Sequence, residues 1–121
     1  TARNTLLVEA ARQLTAYFDG VLREFTLPID WSGTPDFQEQ VLRCIQRIPY
    51  GQTRAYGEIA RALGSPTGSR AVGSALAANP IPIILPCHRV VGADNSLRGF
   101  SAPGGVSAKA WLLALEGARL L

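Results

Sequence analysis

The sequence has no methionine, one histidine, one lysine and two cysteines in 121 residues. Each shortage excludes something. A structural zinc site takes four Cys/His ligands, which two cysteines and one histidine cannot supply, so no metal and no cofactor are expected. Two cysteines, with no basic n-region or cleavage-like segment at the start, argue against secretion and a disulfide framework. The expected compartment is the cytoplasm, or the nucleus in a eukaryote. No apolar stretch approaches the roughly 18 residues of a membrane span, so no membrane partner is expected. A chain that starts at Thr1 and lacks methionine is expected to be processed, or part of something longer. The hydrophobic fraction of 47% and charged fraction of 17% fit a folded chain.

The near-absence of lysine leaves eleven of twelve bases as arginine, whose planar fork binds phosphate in two places. Their distribution is uneven. Residues 1–39 hold three arginines against six acids, a net −3, and residues 40–121 hold nine bases against three acids, a net +6. A basic second part suggests a polyanionic partner, although solvated arginines alone give the same pattern.

Periodicity predicts a mainly helical chain. Leu7, Ala11, Leu14 and Phe18 recur at helical spacing before Asp19-Gly20, and an extended connection follows through Trp31-Ser32-Gly33. Thr34 is expected to cap a helix with Pro35 at its first position and Phe37, Val41, Cys44, Ile45 and Ile48 on the core side. Tyr56, Ile59, Ala60 and Leu63 mark a short helix closed by Gly64, and residues 69–78 form another around Val72 and Leu76. Two helices joined by a Gly/Pro turn in a basic region read as helix-turn-helix. The second carries Arg70 and then almost no side chains: Ala71, Gly73, Ser74, Ala75, Ala77 and Ala78. Such a helix can approach a narrow groove closely, or pack tightly on a neighbour. A last helix is expected from Ser107, with Ala108, Trp111, Leu112 and Leu115 inward and Glu116 at its end.

The chemistry centres on Pro86-Cys87-His88-Arg89-Val90. The preceding run Ile81-Pro82-Ile83-Ile84-Leu85 reads as a short buried strand that delivers the thiol from a rigid support. A thiol attacks as thiolate, and a nearby base or cation is what produces it near neutral pH. His88 is adjacent, and Glu116 acquires a purpose if it meets His88. The plainer reading of Cys87 is a buried structural cysteine.

These residues together resemble the C-terminal domain of the O6-alkylguanine-DNA alkyltransferases (methylated-DNA–protein-cysteine methyltransferases). The matching pieces are Phe37-Gln38 with Val41-Leu42, Ile48-Pro49-Tyr50-Gly51-Gln52-Thr53, Tyr56, Arg70-Ala71-Val72-Gly73, Asn79-Pro80, Pro86 to Val90, and Gly104-Gly105 through Lys109, Leu112, Leu113 and Glu116. They span about residues 36–117 in the family's order. The resemblance implies a mainly α, small helix-turn-helix (winged-helix-like) DNA-binding domain, with a short buried strand carrying the active cysteine. Residues 1–35 would be a linker helix and extended connection from a preceding domain, and residues 36–121 the active-site and DNA-binding domain.

By that resemblance Cys87 accepts the alkyl group, His88 is linked to it through a water, Glu116 orients His88 and Asn79 braces the turn. Tyr56 contacts the DNA backbone and protonates the departing guanine. Arg70 fills the gap left by the flipped lesion, with Ala71, Gly73, Ser74 and Arg89 on the DNA side. Val90, Phe100 and Ser101 form the guanine pocket. The implied partner is double-stranded DNA containing O6-alkylguanine, bound by a monomer that reacts once. A helix-turn-helix regulator would leave the Cys-His-Glu set unused, and a cysteine hydrolase would need no nucleic-acid face. A lesion binder without transfer activity would lack the cysteine.

Overall fold

The computed structural model describes residues 1–65, 67–97 and 104–118, in two units, Thr1–Ser32 and Gly33–Leu121. In the first unit α1 (Ala2–Phe18) starts on Thr1, whose hydroxyl accepts from the Asn4 N–H at 3.2 Å. The expected apolar stripe is not its inner face. Leu7 is 62% and Phe18 42% exposed, whereas Gln13 and Tyr17 are buried. The chain turns at Gly20 and returns along the Gln13 side. The Thr26 N–H donates to Gln13 Oε1 at 3.0 Å, Gln13 Nε2 donates to the Thr26 hydroxyl at 3.0 Å, and the Tyr17 and Phe25 rings lie 5.4 Å apart. Two hydrogen bonds of the Gln13 amide, one to the returning backbone and one to the Thr26 hydroxyl, decide which face is covered, and apolar spacing does not encode them.

In the second unit α2 (Asp36–Ile45) begins one residue later than expected. Pro35 holds the cap position, its carbonyl accepting from the Glu39 N–H at 2.9 Å, and no side chain caps the helix. Asp36 and Glu39 stand at the positive end of the helix dipole and Arg43 at the negative end, which supports the start without a hydroxyl cap. Val41, Leu42 and Ile45 are buried; Cys44 is only half-buried, at the edge of the core rather than inside it.

The two-residue strand β1 (Arg54–Ala55) leads directly into α3 (Tyr56–Ala62), where Glu58 Oε1 accepts from the Ala55 N–H at 3.0 Å. After the turn at Gly64, α4 (Ser69–Ala77) packs on α3 and α2 through Val72, Ala75 and Leu76. This is the helix-turn-helix. β1 pairs in parallel with β2 (Val90–Val91), Arg54 opposite Val90 and Ala55 opposite Val91, which ties α3 to the residues just after the cysteine.

The last helix, α5 (Gly105–Leu115), starts from Gly104 at φ 93, and Ser107 lies inside its first turn instead of capping it. A Cβ on Gly104 would meet the Ala108 methyl at 2.9 Å, so glycine is required there. Its inner face is Lys109, Leu112 and Leu113, while Trp111 is 55% exposed. The helix is rotated from the expected face because a lysine and the following Glu116 are drawn inward by polar partners. No described helix is long and apolar enough to cross a membrane.

Candidate active site

The run 81–85 is not a strand. Proline at 80, 82 and 86 removes three backbone donors, so no ladder can form through it. Asn79 closes a turn instead: its Nδ2 donates to the Leu85 carbonyl at 2.9 Å and its Oδ1 accepts from the Ile81 N–H at 3.0 Å. The Leu85 N–H reaches the Ile81 carbonyl at 3.0 Å, and Ile83 sits at φ 76, a strained conformation for a β-branched residue. Cys87 therefore opens a three-residue 3-10 helix (Cys87–Arg89) that runs into β2. Cys87 is 5% exposed, and Asn79, which braces the turn, also acts on its thiol, favouring the ionised form.

Beneath the turn lies a buried charge cluster. Arg89 grips Glu116 with both faces of its fork, Nε to Oε1 at 2.8 Å and Nη2 to Oε2 at 2.9 Å, and gives Nη1 to the Ile48 carbonyl at 2.7 Å. His88 Nε2 lies 2.7 Å from Glu116 Oε2. Glu116 ends α5, where the helix dipole disfavours a carboxylate, and the arginine and imidazole compensate. Gly51, at φ 81, admits this closure, since a Cβ there would stand 3.1 Å from the Glu116 carbonyl. The expected His88–Glu116 contact is thus present.

The geometry sets the histidine tautomer. A carboxylate only accepts, so Nε2 carries the proton and Nδ1 is left as the basic nitrogen. Nδ1 is buried and meets no protein partner among the described residues. Burial pulls the His88 pKa below its ordinary value, against the pull of Glu116, so the imidazole is neutral and able to accept a proton. Burial also pushes the Cys87 thiol up, outweighing the Asn79 hydrogen bond and the Lys109 charge. The resting sulfur is a protonated thiol. Deprotonation therefore belongs to the reaction, where a nearby base is needed to produce the thiolate.

Lys109 is the site residue that the sequence reading left without a role. It is 1% exposed, with Nζ 3.4 Å from the Tyr56 hydroxyl and 5.6 Å from the centre of that ring. Burial lowers its pKa to about 8, opposed by the Cys87 charge. The available signal was its singularity: every other base is arginine, the side chain that does not give up its proton.

On α4, Arg70, Ala71 and Ser74 are exposed; Gly73 is half-buried, with no atom within 4 Å of where a Cβ would stand. That face is open for close approach. Arg89, expected on the DNA side, is 6% exposed and committed to Glu116 and Ile48, so that assignment is corrected. Val90 is buried in β2 beside the turn, and Tyr56 is half-buried at the start of α3. Phe100 and Ser101 lie outside the described residues.

Fold and site together define a class: a helix-turn-helix module with a buried cysteine followed by a neutral imidazole that is held on a buried carboxylate. The profile of the 6-O-methylguanine DNA methyltransferase DNA-binding domain matches residues 36–118. The chain belongs to that family. It is 51% identical over 109 residues to a methylated-DNA–protein-cysteine methyltransferase of Methanosarcina acetivorans, covering 90% of this chain and 68% of the relative. It superposes on a Mycobacterium tuberculosis OGT solved in complex with DNA at a TM-score of 0.83 and 52% identity, covering 89% of this chain and 64% of that one. An S. pombe protein in complex with damaged DNA containing O6-carboxymethylguanine matches at a TM-score of 0.58 and 34% identity, over 69% of this chain and 78% of that one. The chain thus spans about two thirds of the length of its curated relatives.

Proposed function

We propose that the chain is a DNA-repair methyltransferase that moves the alkyl group of O6-alkylguanine in double-stranded DNA onto its own Cys87, once per molecule. The observation that carries this reading is the buried Glu116–His88 pair, 2.7 Å apart, which leaves Nδ1 as the basic nitrogen on the residue that directly follows Cys87. An alkyl group inside a base stack is beyond reach of a buried sulfur, so the nucleotide is rotated out, with Arg70 entering the space it leaves.

His88 Nδ1 accepts the thiol proton through a bridging water. Sγ attacks the alkyl carbon, the S–C bond forms and the C–O6 bond breaks, its electron pair leaving with the guanine. The guanine takes a proton from the Tyr56 hydroxyl, and Lys109 Nζ, 3.4 Å away, replaces it. The product is a thioether with no activated carbonyl for water to attack, so the sulfur is not regenerated. The protein acts as a monomer, without metal or cofactor, wherever the cell keeps its DNA, in the cytoplasm or the nucleus. Residues 1–35 connect to a preceding domain, and residues 36–121 hold the reactive and DNA-binding parts.

Incubation with an O6-methylguanine duplex carrying a radiolabelled methyl group should label the protein once, on the peptide containing Cys87. Cys87→Ser should bind the lesion duplex but stay unlabelled; a labelled Cys87→Ser would overturn the assignment. Arg70→Ala should lose about 10–100-fold in rate on the duplex and far less on free O6-benzylguanine, which needs no flipping. Equal losses on both would make Arg70 a folding residue.

A further inference from the structure

On the outside of α3, Arg61 is exposed, and its side chain makes no hydrogen bond or ion pair among the described residues. Its guanidinium is not splayed at random. A Cβ placed on Gly57 would stand 3.6 Å from Arg61 Nη1 and 3.7 Å from the Ser69 hydroxyl. The bare Gly57 thus leaves a methyl-sized gap where α3 meets α4, bordered by a guanidinium nitrogen and a hydroxyl. Gly57 directly follows Tyr56 and Ser69 directly precedes Arg70, the two residues that meet the duplex in the proposed function. Glu58, the acid on the same helix, is turned away from Arg61 onto the Ala55 N–H at 3.0 Å, so it does not neutralise the gap.

We infer that Arg61 and Ser69 form a phosphate-binding subsite for the DNA backbone, set between Tyr56 and Arg70. A guanidinium and a hydroxyl bordering one bare glycine suit a phosphate resting over it, which takes bidentate donation from the arginine and one bond from the serine. The contact carries no sequence information. It fixes the register of the duplex so that the nucleotide being rotated out is the one that Arg70 replaces. The inference deepens the proposed function and rests on it for the identity of the polyanion.

The test is the salt dependence of binding to an undamaged duplex and to an O6-methylguanine duplex of the same sequence. Removing one phosphate contact should flatten the slope of log affinity against log salt by about 0.9, narrowing the parent-to-variant ratio about 3.5-fold between 50 and 200 mM salt. Arg61→Ala should show that change on both duplexes, and Arg61→Lys, which keeps the charge, should keep the slope. Arg43→Ala is the comparison, because Arg43 is held by Glu39 at 2.7 Å. Thermal midpoints identify any variant that is misfolded, and Arg61→Lys then decides through its slope. An unchanged slope in a folded Arg61→Ala overturns the subsite, as does a loss confined to the lesion duplex. If the parent takes no label from lesion DNA, the proposed function fails, while the slopes on undamaged DNA still judge the arginine.

Discussion

Glu9 in the first unit and Glu116 in the second have nearly the same partners. Glu9 accepts from Arg12 Nε at 2.9 Å and from the neighbouring Gln13 Nε2 at 2.9 Å. Glu116 accepts from Arg89 Nε and Nη2 at 2.8 and 2.9 Å and faces the neighbouring His88 Nε2 at 2.7 Å. The difference is water. Arg12 is open to solvent, whereas the side chains of Glu116 and His88 are fully buried. A solvated ion pair is screened and costs side-chain entropy to hold, so it decides little about stability. A buried one cannot be half-made, because any member left alone is a charge without solvation. The pairing that decorates α1 holds, in the second unit, the carboxylate that fixes which nitrogen of His88 is basic.

The largest expected consequence is in the rate. If Glu116 sets the tautomer and supports the imidazolium formed in the reaction, Glu116→Gln should slow transfer from a lesion duplex by about 10²–10⁴-fold, the range for losing general-base assistance. Glu9→Gln should leave the rate unchanged. Single-turnover kinetics on both variants checks this, and a Glu116→Gln rate within a few-fold of the parent would reduce the buried cluster to scaffolding.

Stability comes next. Arg89→Met leaves Glu116 buried without its fork and the Ile48 carbonyl without a donor, and should cost about 3–5 kcal/mol in urea unfolding. Arg12→Met should give no resolvable change at physiological salt. Combining Arg89→Met with Glu116→Leu should recover much of the loss, since removing both charges is cheaper than stranding one. A double variant no more stable than Arg89→Met alone would shift the explanation to packing around the Tyr50 ring, which lies 5.8 Å from the arginine.

How far all this was legible differs by element for physical reasons. The helix-turn-helix and its bare outer face could be read because α4 alternates core residues with small ones at helical spacing. The Cys-His-Glu set was legible from its chemistry and from the family's string of residues around Cys87. The strand expected at 81–85 failed because its apolar run was weighed above its prolines, and Asn79 turned that run into a loop. The inner faces of α1 and α5 were misjudged for one common reason: Gln13 and Lys109 are buried by hydrogen-bonding partners far away in the sequence, Thr26 and Tyr56. Arg89 was placed on the DNA side with the resemblance, and only the fold reveals Glu116 as its partner.

A smaller contrast separates the two carboxylates in acid. Glu9 is lowered from 4.5 to about 2, chiefly by the Arg12 hydrogen bonds and then by Gln13. A depressed carboxylate contributes stability above its unfolded value, and that contribution is lost as pH falls from 4.5 towards 2. Solvent screening keeps it small. The difference in unfolding midpoint between the parent and Glu9→Gln should shrink across that window and be flat above pH 5. A difference that grows in acid would mean that the folded state does not hold the Glu9 carboxyl below its ordinary value.

The last consequence is a bend in a pH profile, and it separates two ways of activating a buried thiol. Were Cys87 simply to ionise, transfer from free O6-benzylguanine would climb through pH 9, since burial holds the thiol above its ordinary value. With His88 as base and Lys109 as the source of Tyr56's replacement proton, the profile takes another form. His88 is neutral from mildly acidic pH upward because burial lowers its pKa, so the acid limb falls below the ordinary histidine value of 6.5. Lys109 carries its proton only below about 8, so the rate should turn down as pH rises through that value. In Lys109→Met the downturn near pH 8 should vanish, whatever the height of the remaining plateau. Fold stability in a Cys87→Ser background gives the same group an independent reading. A lysine lowered from 10.5 to about 8 disfavours the folded state below 8 and ceases to do so as pH climbs to 10.5, so stability should rise across that window and not in the matching Lys109→Met protein. A rate that keeps rising past pH 9 would return the activation to Cys87 itself, and the lysine would be left as a buried charge that supports the folded site without taking part in the proton's path.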